Sequence, residues 1–188
     1  MFSFEFILES IGTFAFAISG IRLASAKNFD WFGAYVVGLC TAIGGGTIRD
    51  LLLGVSPFWM HDSWYMICTG LALLFVVLFS QSLIKLNSAF FLFDTIGLGL
   101  FTVVGMEKTL SEGYPYWVAI VMGTMTGAAG GILRDVFINE IPLIFRKEIY
   151  ALACVVGGLF YMGADLMNFD PIVSQIICAT AVMTCRYI

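Results

Sequence analysis

The composition of this 188-residue chain excludes an ordinary water-soluble domain. Apolar residues make up 60% of the chain and aromatic residues 15%, whereas charged residues make up only 12%, compared with about 25% in a typical soluble domain. A net charge of −4, without any cluster of Lys or Arg, also excludes nucleic acid as a partner, because that binding needs clustered cations. Such a chain would aggregate in water, so the sequence predicts an integral membrane protein surrounded by membrane lipids.

Apolar runs of roughly 20 residues, the length that crosses a bilayer as a helix, divide the chain into seven predicted transmembrane helices. Asp30, before the second span, and Asp170, before Pro171 and the seventh span, have the residue type of helix N-caps. The predicted fold is therefore an all-α polytopic membrane protein. In chain order its spans are 4–21, 31–52, 63–84, 90–107, 116–138, 148–164 and 171–187.

Basic residues near the ends of these spans predict the orientation, since Lys and Arg accumulate in cytoplasmic loops. Only Lys108 falls on one side of the predicted membrane. The basic residues on the other side are Arg22, Lys27, Lys85, Arg146, Lys147 and Arg186. We therefore expect the N-terminus outside the cell and the C-terminus in the cytoplasm.

The chain also matches itself when it is shifted by 85 residues. Each unit has three spans, an odd number, so the second copy enters the membrane from the opposite side. We therefore predict two inverted three-helix repeats, residues 1–88 and 89–168, and a seventh helix in residues 169–188. Between positions 38 and 57 the identical pairs are Gly38/Gly123, Thr41/Thr126, Gly45/Gly130, Gly46/Gly131, Arg49/Arg134, Asp50/Asp135 and Pro57/Pro142.

Small residues recur every four positions in the second and fifth spans, which places them on one face of each helix. Two interpretations stay open. The faces either pack helices closely together, or they mark a crossing of the two helices at the pseudo-two-fold axis that borders a shared path. The residues are Ala34, Gly38, Ala42 and Gly46, and Ala119, Gly123, Gly127 and Gly131.

The triplet Gly44-Gly45-Gly46 predicts a kink or an unwound turn, because three glycines cost a helix about 2–3 kcal/mol relative to alanine. Such a break exposes backbone carbonyls, which a membrane tolerates only against protein or a water-filled cavity. Freed carbonyls and the negative ends of half-helices are natural ligands for cations. The triplet therefore indicates an ion pathway.

An Arg-Asp pair follows each glycine motif, at Arg49-Asp50 and at Arg134-Asp135. Charges at membrane depth cost at least about 2.5 kcal/mol each unless they are paired or wetted. The pairs are interpreted either as structural ion pairs or anchors near a helix end, or as a charged constriction on an aqueous path. Both interpretations remain open from the residues alone.

The other polar residues predict no enzyme, metal site or cofactor. Glu9 and Asp94 occupy equivalent positions in the two repeats and are expected near opposite membrane faces, at the interface rather than at an ion-binding site. His61 is the single histidine and has neither metal-ligand spacing nor a nucleophile–base partner. Five cysteines without a Cys-x-x-Cys pair predict buried thiols.

The sequences Gly-Gly-Gly-Thr-Ile-Arg-Asp at 44–50 and Ala-Gly-Gly-Ile-Leu-Arg-Asp at 129–135 resemble the motifs of prokaryotic trimeric intracellular cation (TRIC) channels, a family also labelled glycine transporter. The resemblance implies a homotrimer in a prokaryotic inner membrane. Each protomer would have its own potassium-permeable pore, bordered by the glycine-broken second and fifth helices. Ala129 replaces the first glycine of the second motif, so the two halves are expected to differ. The matching motif positions are Gly44, Gly45, Gly46, Arg49, Gly130, Gly131 and Arg134.

Taken together, these features favour a passive channel for potassium or another monovalent cation. One alternative is a secondary transporter of a small solute such as glycine, which an inverted repeat supports through alternating access. Another is an assembly protein whose glycines only pack helices. The candidate residues of the ion pathway or gate are Thr41, Gly44, Gly45, Gly46, Arg49, Asp50, Thr126, Gly130, Gly131, Arg134 and Asp135.

Overall fold

A computed structural model describes residues 4–85, 87–147 and 149–187, the side chains of 80–89 excepted. This part of the chain contains seven α-helices and no β-strand, which confirms the all-α prediction. Two 3₁₀-helices, Phe58–Met60 and Leu143–Phe145, occupy equivalent places in the two repeats. The helices are α1 (Phe4–Ala26), α2 (Trp31–Leu53), α3 (Trp64–Lys85), α4 (Asn87–Ser111), α5 (Tyr116–Phe137), α6 (Ala151–Leu166) and α7 (Pro171–Arg186).

Four helices in the described chain are long and apolar enough to cross a membrane: α1, α2, α5 and the Phe90–Ser111 part of α4. The apolar stretches Trp64–Phe79, α6 and α7 are shorter. The predicted spans agree with the helices, although α1 extends to Ala26 instead of ending near 21 and α4 extends to Ser111 instead of ending near 107. Glu148, where the sixth span was expected to begin, lies outside the described residues.

Aspartate caps begin two of the helices, as the sequence predicts. The Asp30 carboxylate accepts a hydrogen bond of 2.7 Å from the backbone N–H of Gly33 at the start of α2. The Asp170 carboxylate accepts one of 2.9 Å from the N–H of Ile172, with Pro171 in the first turn of α7. These bonds satisfy amides that a helix N-terminus leaves unpaired.

Two of the basic residues that predict the orientation lie within helices and are buried. Arg22 belongs to α1 and is 8% exposed, and Arg186 is the last residue of α7 and is 6% exposed. Lys27 and Arg146 do lie outside the helices, and both form ion pairs with Glu140. The placement outside a span is therefore wrong for Arg22, whereas Arg186 lies at the end of the seventh span as predicted. Both side chains are buried in the bundle.

The same packing pattern occurs in each unit. In the first unit α1 contacts α2 and α3, and in the second α4 contacts α5 and α6. The two units meet where α1 packs on α4 and α2 packs on α5. Phe16 and Phe101, equivalent residues, pack against each other in the centre with their rings 5.3 Å apart. Helix α7 lies against α4 and α6 and has no counterpart in the first unit.

Consecutive helices run in opposite directions, which defines two faces of the bundle. The N-terminal face holds the start of α1 and α5 and the end of α2 and α4. The C-terminal face holds the end of α1, α5 and α7 and the start of α2 and α4. Equivalent residues of the two repeats therefore lie near opposite faces.

Candidate ion pathway

Helices α2 and α5 cross with their backbones in direct contact at two reciprocal points. A Cβ atom added to Gly45 would overlap the carbonyl oxygen of Thr126, and one added to Gly130 would overlap the carbonyl oxygen of Thr41. Both helices continue without interruption through their glycine motifs, so the predicted unwound turn is wrong. Here the glycines permit a close approach of two backbones that any side chain would prevent.

The other glycines of the motifs leave room for side chains rather than for backbone. A Cβ atom added to Gly44 would overlap the side chain of Leu133, and one added to Gly46 would overlap the ring of Phe58. One added to Gly131 would overlap the hydroxyl of Tyr150. The backbone stays helical at Ala129 as well, so its difference from Gly44 does not produce one broken and one continuous helix.

The small-residue faces pack helices within each unit. A Cβ on Gly38 in α2 would lie 3.1 Å from the carbonyl oxygen of Ala17 in α1. A Cβ on Gly123 in α5 would lie 2.7 Å from the carbonyl oxygen of Thr102 in α4. The close-packing interpretation is therefore confirmed for these two glycines.

The candidate hydroxyls bond to their own helices. Thr41 donates to the carbonyl oxygen of Val37 at 2.7 Å, and Thr126 donates to that of Met122 at 2.6 Å. Both threonines are almost fully buried at the crossing of α2 and α5. In this state the hydroxyls are satisfied within the protein and face the packed interior.

The two Arg-Asp pairs have the same geometry. Nε of Arg49 donates to Oδ1 of Asp50 at 2.8 Å, and Nε of Arg134 donates to Oδ1 of Asp135 at 2.8 Å. All four residues are at most 3% exposed. Both arginines thus form buried ion pairs, and neither is an anchor at the surface.

Each aspartate of these pairs also holds the segment that follows its helix. Oδ2 of Asp50 accepts a hydrogen bond of 2.9 Å from the N–H of Phe58, and Oδ2 of Asp135 accepts one of 3.0 Å from the N–H of Leu143. Phe58 and Leu143 are the first residues of the two 3₁₀-helices. Each pair thus links the end of its helix, α2 or α5, to the 3₁₀-helix that follows it.

Asp94 lies in the centre of a buried network near the C-terminal face. Its Oδ1 is 2.5 Å from Nη1 of Arg134, and its Oδ2 is 3.3 Å from Nη2 of Arg186. Arg134 Nη1 also donates to Ser19 at 2.7 Å. Asp94 is fully buried, so the expected interfacial placement is wrong. Two guanidinium groups compensate the carboxylate, which therefore needs no contact with water.

Glu9, the residue equivalent to Asp94, has a different partner. Its carboxylate accepts a hydrogen bond of 2.5 Å from the hydroxyl of Tyr65, and its side chain is half-buried beside a cavity. Nearby, the indole N–H of Trp64 donates to Ser10 at 2.9 Å. These contacts fasten the start of α3 to α1 at the N-terminal face.

Cavities enter the bundle from both faces. The N-face cavity has a volume of about 190 Å³ and lies between α1 and α4, with three carboxylates, Glu5, Glu9 and Glu107, in its lining. The C-face cavity has a volume of about 380 Å³. Its charged lining residues are Arg22, Lys27, Asp135, Glu140 and Arg146. Of the predicted pathway residues, Asp135 therefore lines this second cavity.

The charge of Glu140 is stabilised at the mouth of the C-face cavity. Lys27 lies 2.5 Å from this carboxylate and Arg146 lies 3.4 Å from it. The hydrogen bond and the charge of Lys27 lower the pKa of Glu140 below its ordinary value, and the charge of Arg146 adds to this effect. The carboxylate therefore stays ionised at neutral pH.

Sequence reasoning did not identify Asp94 and Arg186 as parts of the site. A signal for Asp94 was available, because a carboxylate inside an apolar span requires a cationic partner and Arg134 lies in a neighbouring span. Arg186 gave no comparable signal, since α7 has no counterpart in the first repeat. Its position beside Asp94 depends on the tertiary packing of α7 against α4.

All five cysteines carry free thiols. Cys68, Cys154 and Cys178 are buried, and Cys40 and Cys185 are partly buried. The expectation of buried thiols is thus confirmed for three of the five. Within the described residues, no three His, Cys, Asp or Glu side chains are grouped closely enough to hold a metal ion.

Comparison with protein families finds the same family model, described as "Glycine transporter", matching the chain twice, over residues 6–81 and 91–165. Each match covers one three-helix unit. Among curated proteins, the inner membrane protein YadS of Escherichia coli is 40% identical over 159 residues, which are 84% of this chain and 77% of that protein.

Solved structures of channels have the same fold. The TRIC trimeric intracellular cation channel orthologue from Rhodobacter sphaeroides matches with a TM-score of 0.90 and 33% identity, covering 97% of this chain and 95% of that one. A prokaryotic TRIC channel in 0.5 M KCl matches with a TM-score of 0.91 and 29% identity, covering 100% and 95%. These similar structures are channels rather than enzymes.

Proposed function

We propose that this chain, which belongs to the prokaryotic TRIC channel family, is a monovalent-cation channel that conducts potassium through a pore inside each protomer. The observation that carries the proposal is the pair of cavities that enter the α1–α4 contact from opposite faces. The two buried Arg-Asp pairs of α2 and α5 lie near opposite faces, and Asp135 of the second pair lines the C-face cavity. A pore bordered by these four helices would connect the two cavities.

The charge of the N-face cavity favours cations. Glu5, Glu9 and Glu107 line it together with a single cation, Lys108, which itself forms an ion pair with Glu112 at 3.3 Å. A cavity with excess negative charge and low-dielectric walls concentrates cations at the entrance of a pore. Selection by charge, without a dedicated potassium filter, would make the channel permeable to several monovalent cations.

The present conformation is closed between the two cavities. Glu9 and Arg22 mark the cavities on α1, and the 12 residues between them separate the two positions by about 20 Å of helix. Phe16 and Phe101 pack against each other within this stretch, and Arg134 pairs with Asp94 nearer the C-terminal face. Conduction would require these contacts to separate.

The orientation follows from the positive-inside rule. Lys27 and Arg146 lie at the C-face cavity, so we place this face in the cytoplasm and the N-terminus outside the inner membrane. The channel from Rhodobacter sphaeroides is a trimer, and we propose a homotrimer for this chain. The apolar side chains exposed on its helices would contact neighbouring protomers and lipid.

Ion selectivity in planar bilayers tests the role of the N-face cavity. Neutralising Glu5, an exposed lining residue, by Glu5→Gln should lower the permeability of potassium relative to chloride and reduce the unitary conductance. Asp62→Asn is the matched control, because Asp62 is an exposed carboxylate on the same face outside that lining. Equal effects of the two substitutions, or none in either, would refute a selective role for the cavity.

A secondary transporter of glycine is the second candidate, and the description of the matching family model favours it. Cavities on both faces with a closed centre also suit alternating access. The two functions differ in turnover and stoichiometry. Saturable glycine counterflow into liposomes, without unitary currents in bilayers, would select the transporter and reject the channel.

A further inference from the structure

Each repeat contains a carboxylate, an arginine and a tyrosine that are related by the 85-residue shift. The three side chains of each set lie together near one face of the bundle, but their hydrogen bonds differ between the two sets. The N-face triad is Glu9, Arg49 and Tyr65, and the C-face triad is Asp94, Arg134 and Tyr150.

In the C-face triad the carboxylate pairs with the arginine. Asp94 lies 2.5 Å from Nη1 of Arg134. The hydroxyl of Tyr150 is buried and makes no hydrogen bond with the described residues. A Cβ on Gly131 would contact both this hydroxyl and Nη2 of Arg134, so the tyrosine lies beside the ion pair without joining it.

In the N-face triad the carboxylate pairs with the tyrosine instead. Glu9 accepts the 2.5 Å hydrogen bond from Tyr65, and it is Nη1 of Arg49 that is buried without a hydrogen bond in the described chain. The guanidinium of Arg49 lies over the ring of Phe58 at 5.8 Å. That ring packs against Tyr65 with centroids 4.5 Å apart, so arginine and tyrosine are neighbours here too.

The two triads therefore show two arrangements of one set of groups. Each arrangement satisfies the carboxylate and leaves buried donors without a hydrogen bond in the described chain. At the N face this is Nη1 of Arg49, and at the C face it is the Tyr150 hydroxyl together with Nη2 of Arg134, which keeps its ion pair with Asp135. The penalty for an unpaired buried polar group is of the same kind in both, which favours two arrangements of similar free energy. Such a bistable element is what a gate requires.

We propose that the carboxylate of each triad exchanges between arginine and tyrosine, and that this exchange gates the pathway at that face. This inference rests on the proposed channel function. With the carboxylate on tyrosine the triad is open to its cavity, as Glu9 lines the N-face cavity. With the carboxylate on arginine the triad is closed, as Asp94 is fully buried.

Helix α7 accounts for the difference between the faces. It brings Arg186 within 3.3 Å of Asp94, and a second guanidinium stabilises the carboxylate in the closed arrangement. The first repeat has no helix equivalent to α7, so Glu9 receives no such second cation from it. The C-face triad is thus held closed, and the N-face triad exchanges more readily.

The substitution Tyr65→Phe tests the exchange, because it removes the tyrosine partner of Glu9 and leaves Arg49 as the alternative. We expect the open probability in planar bilayers to fall several-fold. The double substitution Glu9→Gln with Tyr65→Phe should restore it, since a neutral amide has no charge to pair with Arg49. The matched control is Tyr116→Phe, which removes a tyrosine hydroxyl from the Asp165 carboxylate away from both triads.

A crystal structure of the Tyr65→Phe protein provides a readout that does not depend on current. A Glu9 carboxylate within hydrogen-bond distance of Nη1 of Arg49 supports the exchange. A Glu9 carboxylate that forms no hydrogen bond with Arg49 overturns it. An equal fall in open probability for Tyr116→Phe, or no restoration in the double variant, overturns the gate. Wild-type protein without any current refutes the channel function, while the crystal structure still decides the exchange.

Discussion

The substitution Gly45→Ala distinguishes close packing from backbone flexibility at the glycine motif. In a helix the change gains about 0.8–1.0 kcal/mol of intrinsic propensity. The new Cβ would overlap the carbonyl oxygen of Thr126, a backbone atom that cannot rotate away. Restoring van der Waals contact requires α2 and α5 to separate by roughly 1 Å, and overpacking of this kind costs about 1–3 kcal/mol or more. The net result is a loss of about 0–2 kcal/mol, which is about 1–3 kcal/mol less stable than a glycine-to-alanine change without overlap.

Thermal unfolding of the detergent-solubilised protein measures this loss. Gly130→Ala should behave in the same way, because its Cβ would overlap the equivalent carbonyl oxygen of Thr41. Gly70→Ala is the matched control: Gly70 lies in helix α3, and an added Cβ there meets nothing within 4 Å. If Gly45→Ala is as stable as Gly70→Ala, the glycine serves flexibility rather than close approach.

Two further substitutions probe the ion pairs. Asp94→Asn should lower the melting temperature far more than Glu9→Gln, because it leaves Arg134 and Arg186 without their shared carboxylate. Breaking a buried ion pair costs about 3–5 kcal/mol. Similar melting temperatures for the two variants would contradict this. Because Lys27 lowers the pKa of Glu140, their pair stabilises the fold above the ordinary carboxyl pKa and loses this effect as the pH falls. Glu140→Gln should therefore reduce the drop in melting temperature between about pH 6 and pH 3, and an undiminished drop would count against it.

The helices and the repeat could be predicted from the sequence because both depend on local patterns. Apolar length and the aspartate caps identify helix positions within a few residues, and Asp30 and Asp170 bind their helices as expected. Residues 85 positions apart also make equivalent contacts, most clearly Asp50 with Phe58 and Asp135 with Leu143.

The unwound turn predicted at the glycine motif is wrong because glycine serves two purposes that a sequence does not distinguish. It loosens a helix when nothing opposes it, and it permits close contact when another backbone lies opposite. For Gly45 the deciding atom is the carbonyl oxygen of Thr126, which belongs to another helix. Asp94 was misplaced for a similar reason, since its partner Arg186 reaches it only through the packing of α7.

Single-channel recording of the purified protein in a planar bilayer tests the central claim most directly. In an asymmetric KCl gradient we predict unitary current steps that reverse near the potassium equilibrium potential, because the carboxylates of the N-face cavity exclude chloride. Currents that reverse near the chloride potential, or a silent bilayer together with saturable glycine counterflow in liposomes, would contradict a cation channel.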